Sequence, residues 1–307
     1  MTTISIGDAI GEGFGLIRRR PLAILGWGLA RVAFTAATLS LMAPFYLETF
    51  RAAAARASGG AAAAPPDLSS MMAMQGASWL SSIVGMFLGA VLSCAVWRAV
   101  LHPERRQFAY LRVGAPELFM FLLTFGFGIV LVVGLLILAL PIALIAGIAF
   151  AAHAAAVGVI LAVLGGFAVL ALLVWAFCRF SLVGPMMVQD GKFHLGDAWA
   201  LTKGHAGTLF AVAILLIVIL VALEMVIAAI GLAVGVAFLG QAAGGLSHVQ
   251  TFFAQPPEQL LASVTPALIV VGLVSIPVTG AFLAILSAPW ARIYRDLAQP
   301  DVAATFT

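Results

Sequence analysis

Residues 118–178 read LFMFLLTFGFGIVLVVGLLILALPIALIAGIAFAAHAAAVGVILAVLGGFAVLALLVWAFC, with no Asp, Glu, Lys or Arg anywhere in the block. As a single α-helix it would be about 90 Å long at 1.5 Å per residue, about three times the hydrocarbon thickness of a bilayer. The block is too apolar to face water and too long for one crossing, so it must hold two spans and a turn. Pro141 and the HAAAVG stretch starting at His153 are the available breaks. Proline is tolerated inside membrane helices, so the turn is expected near His153.

The same length criterion picks out four more spans, giving Leu22–Tyr46, Ser78–Val100, Glu117–Gly147, Ala155–Phe180, Gly207–Phe238 and Pro266–Ala291. Composition agrees. Hydrophobic residues make up 64% of the 307 and charged residues 9%, against about 25% charged in soluble domains. So few charges cannot clothe a water-soluble surface. The chain is read as one all-α polytopic membrane domain over residues 1–307.

Asp8 and Glu12 ahead of the arginines, followed by a long apolar run, mark a retained first span rather than a cleaved signal. Positive charge sets the expected orientation. With the N-terminus in the cytoplasm, twelve of the fifteen Lys and Arg fall on that side. Arg51 and Arg56 fall on the other, and Arg31 lies within the first span. Both termini are then cytoplasmic. The net charge of +3 is spread in small groups between apolar runs, which excludes a nucleic-acid surface.

Residues 49–77 include RAAAARASGGAAAAPPDLSS and read as a flexible periplasmic loop. The later far-side loop, QAAGGLSHVQTFFAQPPEQ, carries aromatics suited to the interface. Three short segments precede the odd-numbered spans: IGDA (6–9), VGAPE (113–117) and LGDA (195–198). The even-numbered spans end in AVWR, AFCR and PWAR. The pattern implies three repeats over 1–105, 106–185 and 186–299, each a short interfacial amphipathic helix followed by a two-span hairpin. The Gly-Asp pairs suit helix starts. Ile6, Ile10, Phe14 and Ile17 form an apolar stripe ahead of Arg18–Arg20, as in a helix lying on a membrane.

SLVGPMMVQDGKFHLGDAWALTKGH after Arg179, with IGDAIGEGFGLIRRRP and WRAVLHPE, resembles a group of bacterial six-span inner-membrane proteins of unknown activity. It is also similar to the membrane domain fused to some glycerophosphodiester phosphodiesterases. The resemblance implies a bacterial inner membrane and a six-span architecture. The sequence contains no soluble phosphodiesterase domain, so hydrolase activity does not carry over.

Two ionisable residues lie inside spans. Glu224 shares a stripe with Ala228, Gly231 and Gly235, small residues that favour close helix packing, so it is expected to face the bundle. Arg31 shares a stripe with Gly28, Thr35 and Thr38. Arg31 lies about 16 Å beyond Arg20, and Glu224 about 25 Å beyond Gly207. Arg31 and Glu224 are expected to pair, directly or through water or Thr35. The pair reads either as a transport site for a proton or cation, or as a structural clamp.

Arg18, Arg19, Arg20, Arg98, Arg179 and Arg292 are expected to meet anionic lipid headgroups. Trp97, Trp290 and Tyr294 read as interface anchors. Cys94 and Cys178 fit no metal or redox spacing and read as small buried hydrophobes. His102, His153, His194, His205 and His248 form no zinc-protease pattern, and neither a P-loop, a dinucleotide fingerprint nor a nucleophile elbow is present. No catalytic residue, metal or cofactor is expected. The function expected is a non-enzymatic inner-membrane protein engaging lipids, another membrane protein or itself. The alternative is a proton-coupled transporter of a small solute that uses Glu224.

Overall fold

The computed structural model describes residues 5–57, 68–104, 107–152, 154–193, 195–242 and 256–298. The architecture is all-α. Helix α1 (Ile6–Arg19) is followed by α2 (Pro21–Ala57), α3 (Leu68–Leu101), a 3₁₀ turn (Gln107–Tyr110), α4 (Ala115–Ala151) and α5 (Ala155–Phe180). Then come α6 (Val183–Asp190), α7 (Leu195–Leu201), α8 (Ala206–Ala242) and α9 (Pro257–Ala298). Six of them, α2, α3, α4, α5, α8 and α9, are long and apolar enough to cross a membrane.

The charge-free block turns where its length demands. Helix α4 runs through Pro141 to Ala151, and α5 begins at Ala155. In the most apolar windows of these two spans only 6% of residues are buried. Leu136, Ile137, Leu140, Leu164 and Phe167 are all exposed. In water such a surface would drive aggregation; against lipid chains it costs nothing.

Local chemistry fixes the helix ends. Ser5 Oγ accepts the Asp8 N–H at 3.3 Å, so Ser5 caps α1 and Asp8 sits in its first turn, where its charge favours the dipole. Asp197 likewise lies in the first turn of α7. Pro116 opens α4. Gly191, at φ 68°, ends α6 in the left-handed conformation and donates to the Met187 carbonyl at 2.9 Å.

Three expectations change. The loop over 49–77 is helical at both ends, because α2 continues to Ala57 and α3 starts at Leu68; its alanine-rich start extends α2 instead of breaking it. Residues 58–67 lie outside the described chain, as do residues 243–255 of the second far-side loop and Arg105, Arg106, His153, His194 and His248. The segment before α4 forms no separate interfacial α-helix, only the short 3₁₀ turn, in which Phe108, Ala109 and Tyr110 all have positive φ (49°, 54° and 63°). Finally, α1 buries Ala9, Ile10, Gly13 and Leu16 against protein, while Phe14 from the expected apolar stripe is exposed.

The described residues cluster into two compact units. Unit 1 comprises residues 1–19, 89–216 and 284–307; unit 2 comprises 20–88 and 217–283. In unit 1, Trp97 of α3 is central. Its Nε1 donates to the Ser287 carbonyl of α9 at 3.0 Å, and its ring covers Gly184 of α6 so closely that any side chain there would overlap it. Gly13 likewise brings α1 close to α9: a Cβ would lie 2.8 Å from Ile285 Cα. Trp97, Trp290 and Tyr294 are therefore buried packing residues, not interface anchors.

In unit 2, α2 and α9 meet backbone to backbone. A Cβ on Gly28 would overlap the Ile276 carbonyl, and one on Gly280 would overlap the Ile24 carbonyl. This reciprocal pair is the small-residue contact by which membrane helices approach closely. Gly231 and Gly235 of α8 have nothing within 4 Å, so the small stripe near Glu224 packs against no described part of the chain.

Candidate functional site

Charge in unit 1 gathers where α1, α3, α4, α5 and α9 carry their acidic and basic residues. Glu117, in the first turn of α4, is completely buried and accepts a hydrogen bond from Arg98 Nη2 of α3. Arg98 Nη1 also donates to the Tyr110 carbonyl at 3.2 Å, and the Tyr110 hydroxyl donates to the Pro103 carbonyl at 3.1 Å. These bonds hold the left-handed turn, a conformation that costs non-glycine residues about 1–2 kcal/mol each. Glu117 Oε2 has no hydrogen-bond partner among the described residues.

A second cluster centres on Glu12 of α1. Its carboxylate pairs with Arg19 and lies 3.8 Å from Arg292 Nη1 and 3.9 Å from Arg295 Nη2. Arg292 Nε also donates to Asp296, one turn on, at 3.1 Å. Two carboxylates thus face three guanidinium groups, and the cluster keeps a positive surplus. Together with Gly13, it docks α1 on α9.

Beside these charges, and extending along the spans from them, lies a cavity of about 340 Å³. Ser93 and Trp97 of α3, Thr124 and Phe127 of α4, Phe177 and Phe180 of α5, and Trp290 of α9 are among its walls. Phe177 and Trp290 meet edge to face at 5.5 Å. Phe180, next to Arg179, lines the cavity, and its ring is 6.3 Å from that of Phe127 and 5.7 Å from that of Trp199. The Arg179 guanidinium lies 5.0 Å from the Trp199 ring centre and 5.8 Å from that of Trp175. Its Nε and Nη1 are buried without a hydrogen-bond partner among the described residues. The aromatic faces stabilise the cation by about 0.5–2 kcal/mol, but they accept none of its N–H bonds.

Unit 2 has a second cavity, of about 520 Å³, between α2 and α3. Arg31, Phe34, Thr38, Met42 and Tyr46 line it from α2; Ser78, Ser81, Ser82, Gly85 and Met86 line it from α3.

The residues singled out from sequence fare differently. Arg31 and Glu224 do not pair: both are exposed, and among the described residues neither has an ion-pair partner. Two causes act together. Glu224 lies deeper along its helix, and its small-residue stripe packs against nothing that would turn it toward Arg31. Thr35, the proposed bridge, donates its hydroxyl to the Arg31 backbone carbonyl at 3.0 Å. Neither cavity described here includes Glu224.

Of the six arginines assigned to lipid, Arg18 and Arg19 are exposed and Arg20 is half-buried. Arg98 is an internal ion-pair partner instead, and Arg292 is shared between Asp296 and Glu12. Arg179 keeps unspent donors. Cys94 and Cys178 are free and buried, as expected. Among the described residues no cluster of His, Cys, Asp and Glu could hold a metal.

Sequence reasoning missed the Arg98–Glu117 pair. Its signal was present: Glu117 directly follows a Pro at a helix start, and Arg98 directly follows Trp97 at a span end.

Comparison of the chain with protein-family models, curated proteins and solved structures finds no match.

Proposed function

We propose that this chain is a non-catalytic membrane protein that binds an anionic phospholipid in unit 1. The acyl chain occupies the aromatic cavity, and the phosphate is held at Arg179. The observation that carries this reading is the two buried, unpartnered nitrogens of Arg179, next in the chain to Phe180, which lines an apolar cavity.

A phospholipid has the chemistry this arrangement lacks. A phosphate offers several oxygens, so more than one guanidinium N–H finds an acceptor, and about 340 Å³ lies within the usual range for small-molecule sites. The apolar walls include Trp97, Phe180 and Trp290, each within two residues of Arg98, Arg179 or Arg292, so a chain in the cavity brings its headgroup beside arginines. The ionised groups buried nearby, Arg98 and Glu117, neutralise each other, which supports a structural rather than catalytic use.

The excess of arginine at this end supports a cytoplasmic placement, where anionic lipid gathers. The motif resemblance to six-span bacterial proteins supports an inner membrane.

The test is lipid retention. Protein purified from membranes is assayed by native mass spectrometry, then titrated in detergent with phosphatidylglycerol and, separately, phosphatidylcholine. The expected result is preferential retention of the anionic lipid, weakened about tenfold or more in Arg179→Gln and blocked in Ser93→Phe, which fills the cavity. Equal binding of the two lipids, or anionic binding untouched by both variants, overturns the proposal.

A further inference from the structure

The cavity of unit 2 holds a cation that nothing in the described chain neutralises. Arg31 lies ten residues into α2, about 15 Å from its start, and so near the middle of a hydrocarbon layer about 30 Å thick. An ionised group at that depth is costly unless it faces protein, water or a counter-charge. Arginine cannot escape by losing its proton. Its guanidinium nevertheless makes no ion pair or hydrogen bond to any described residue.

Hydroxyls line the rest of the cavity, toward its Tyr46 end. Thr38, Tyr46, Ser78, Ser81 and Ser82 share the cavity. The Ser82 hydroxyl is spent on the Ser78 carbonyl at 2.8 Å, but those of Thr38, Tyr46, Ser78 and Ser81 make no hydrogen bond to described residues. The cavity therefore offers a guanidinium fork and four free hydroxyl donors, and none of its lining side chains is acidic. From Arg31 to Tyr46 the lining extends about 22 Å along α2, from mid-span toward the end away from the arginine-rich side.

We infer that this cavity is an intramembrane binding site for a monocarboxylate anion. One positive charge balances one negative charge, and a dianion would leave a net charge in a low-dielectric site. The planar fork of arginine matches the two oxygens of a carboxylate, and the hydroxyl-lined part of the cavity gives the rest of a small polar ligand hydrogen-bond partners. A phospholipid phosphate does not fit, since headgroups lie at the interface about 15 Å away. A free small carboxylate and the head of a fatty acid share the required chemistry, and about 520 Å³ accommodates either.

The site is independent of the phospholipid site proposed for unit 1. Its test uses the full chain in nanodiscs of zwitterionic lipid, titrated with sodium acetate, sodium laurate or sodium sulfate at constant ionic strength. Binding is read by calorimetry. Saturable binding of acetate, laurate or both, with sulfate weaker, supports the inference; acetate binding identifies a free solute site, and laurate alone a fatty-acid site.

Arg31→Gln should weaken binding about ten- to hundredfold. The Ser78→Ala/Ser81→Ala variant keeps the charge and should weaken binding about threefold to tenfold, so a misfolded Arg31 variant does not leave the question open. No carboxylate binding to the wild type, or binding that neither variant alters, overturns the inference. So does binding that appears only in Glu224→Gln, because the Glu224 carboxylate would then be the native occupant.

Discussion

Removing Glu117 alone should harm this protein more than removing Glu117 and Arg98 together. Glu117 is completely buried, and the Arg98 side chain is 12% exposed. Glu117→Ala leaves the guanidinium in place with only the Tyr110 carbonyl as a polar partner. Breaking a buried pair in this way costs about 3–5 kcal/mol, because a charge remains that neither water nor an anion solvates. Replacing both, as Arg98→Met with Glu117→Leu, removes both desolvation penalties and typically comes out near neutral.

The missing partner of Glu117 Oε2 strengthens this expectation, since the native pair is incompletely satisfied. Cys94 and Cys178 provide the assay. Both are free and buried, so a thiol-reactive dye reports their exposure on heating. At about 2 °C per kcal/mol for a chain of this size, Glu117→Ala should melt about 6–10 °C below the wild type. The double variant should recover most of that loss. A double variant as unstable as the single one, or a single variant with an unchanged melt, refutes the reasoning.

Gly28→Val and Gly280→Val should each prevent close approach of α2 and α9 and lower the melting temperature sharply, whereas Gly231→Ala, with open space around it, should leave it unchanged or raised. Gly13→Val should undock α1 from α9, read as faster proteolysis within residues 6–19 in intact vesicles. Glu12→Gln should do so more weakly, and less at high salt, because the paired arginines are partly exposed. Glu224→Leu should be neutral or stabilising in the thiol melt, since the carboxyl has no described partner; a loss as large as that from Glu117→Ala would show that a partner exists.

The spans were legible because a single property defines them. A charge-free block such as 118–178 can only lie in lipid, and its length forces the turn found between Ala151 and Ala155. Contacts were less legible, because apolar residues on lipid-facing and protein-facing sides look alike. In sequence the Gly231–Gly235 stripe and the stripe holding Gly28 both read as small-residue faces, yet only Gly28 is pressed against a neighbouring backbone.

Trp97 and Trp290 look the same in sequence whether they float at an interface or fill a core; only the Gly184 gap and the Ser287 carbonyl distinguish the cases. Arg31 was recognisable as an anomaly, but its hydroxyl surroundings come from Ser78 and Ser81 on the next helix, which a reading of one stripe cannot supply.

The reciprocal contact of Gly28 and Gly280 has a bearing on biogenesis. The ribosome makes Gly28 roughly 250 residues before Ile276, so the groove at Gly28 waits, unfilled, while that length is made. A chain arrested before residue 276 would leave that groove open to lipid or to a chaperone. The emergence of α9 is thus the event that covers the Gly28 face of unit 2, and until then that face is open to quality control.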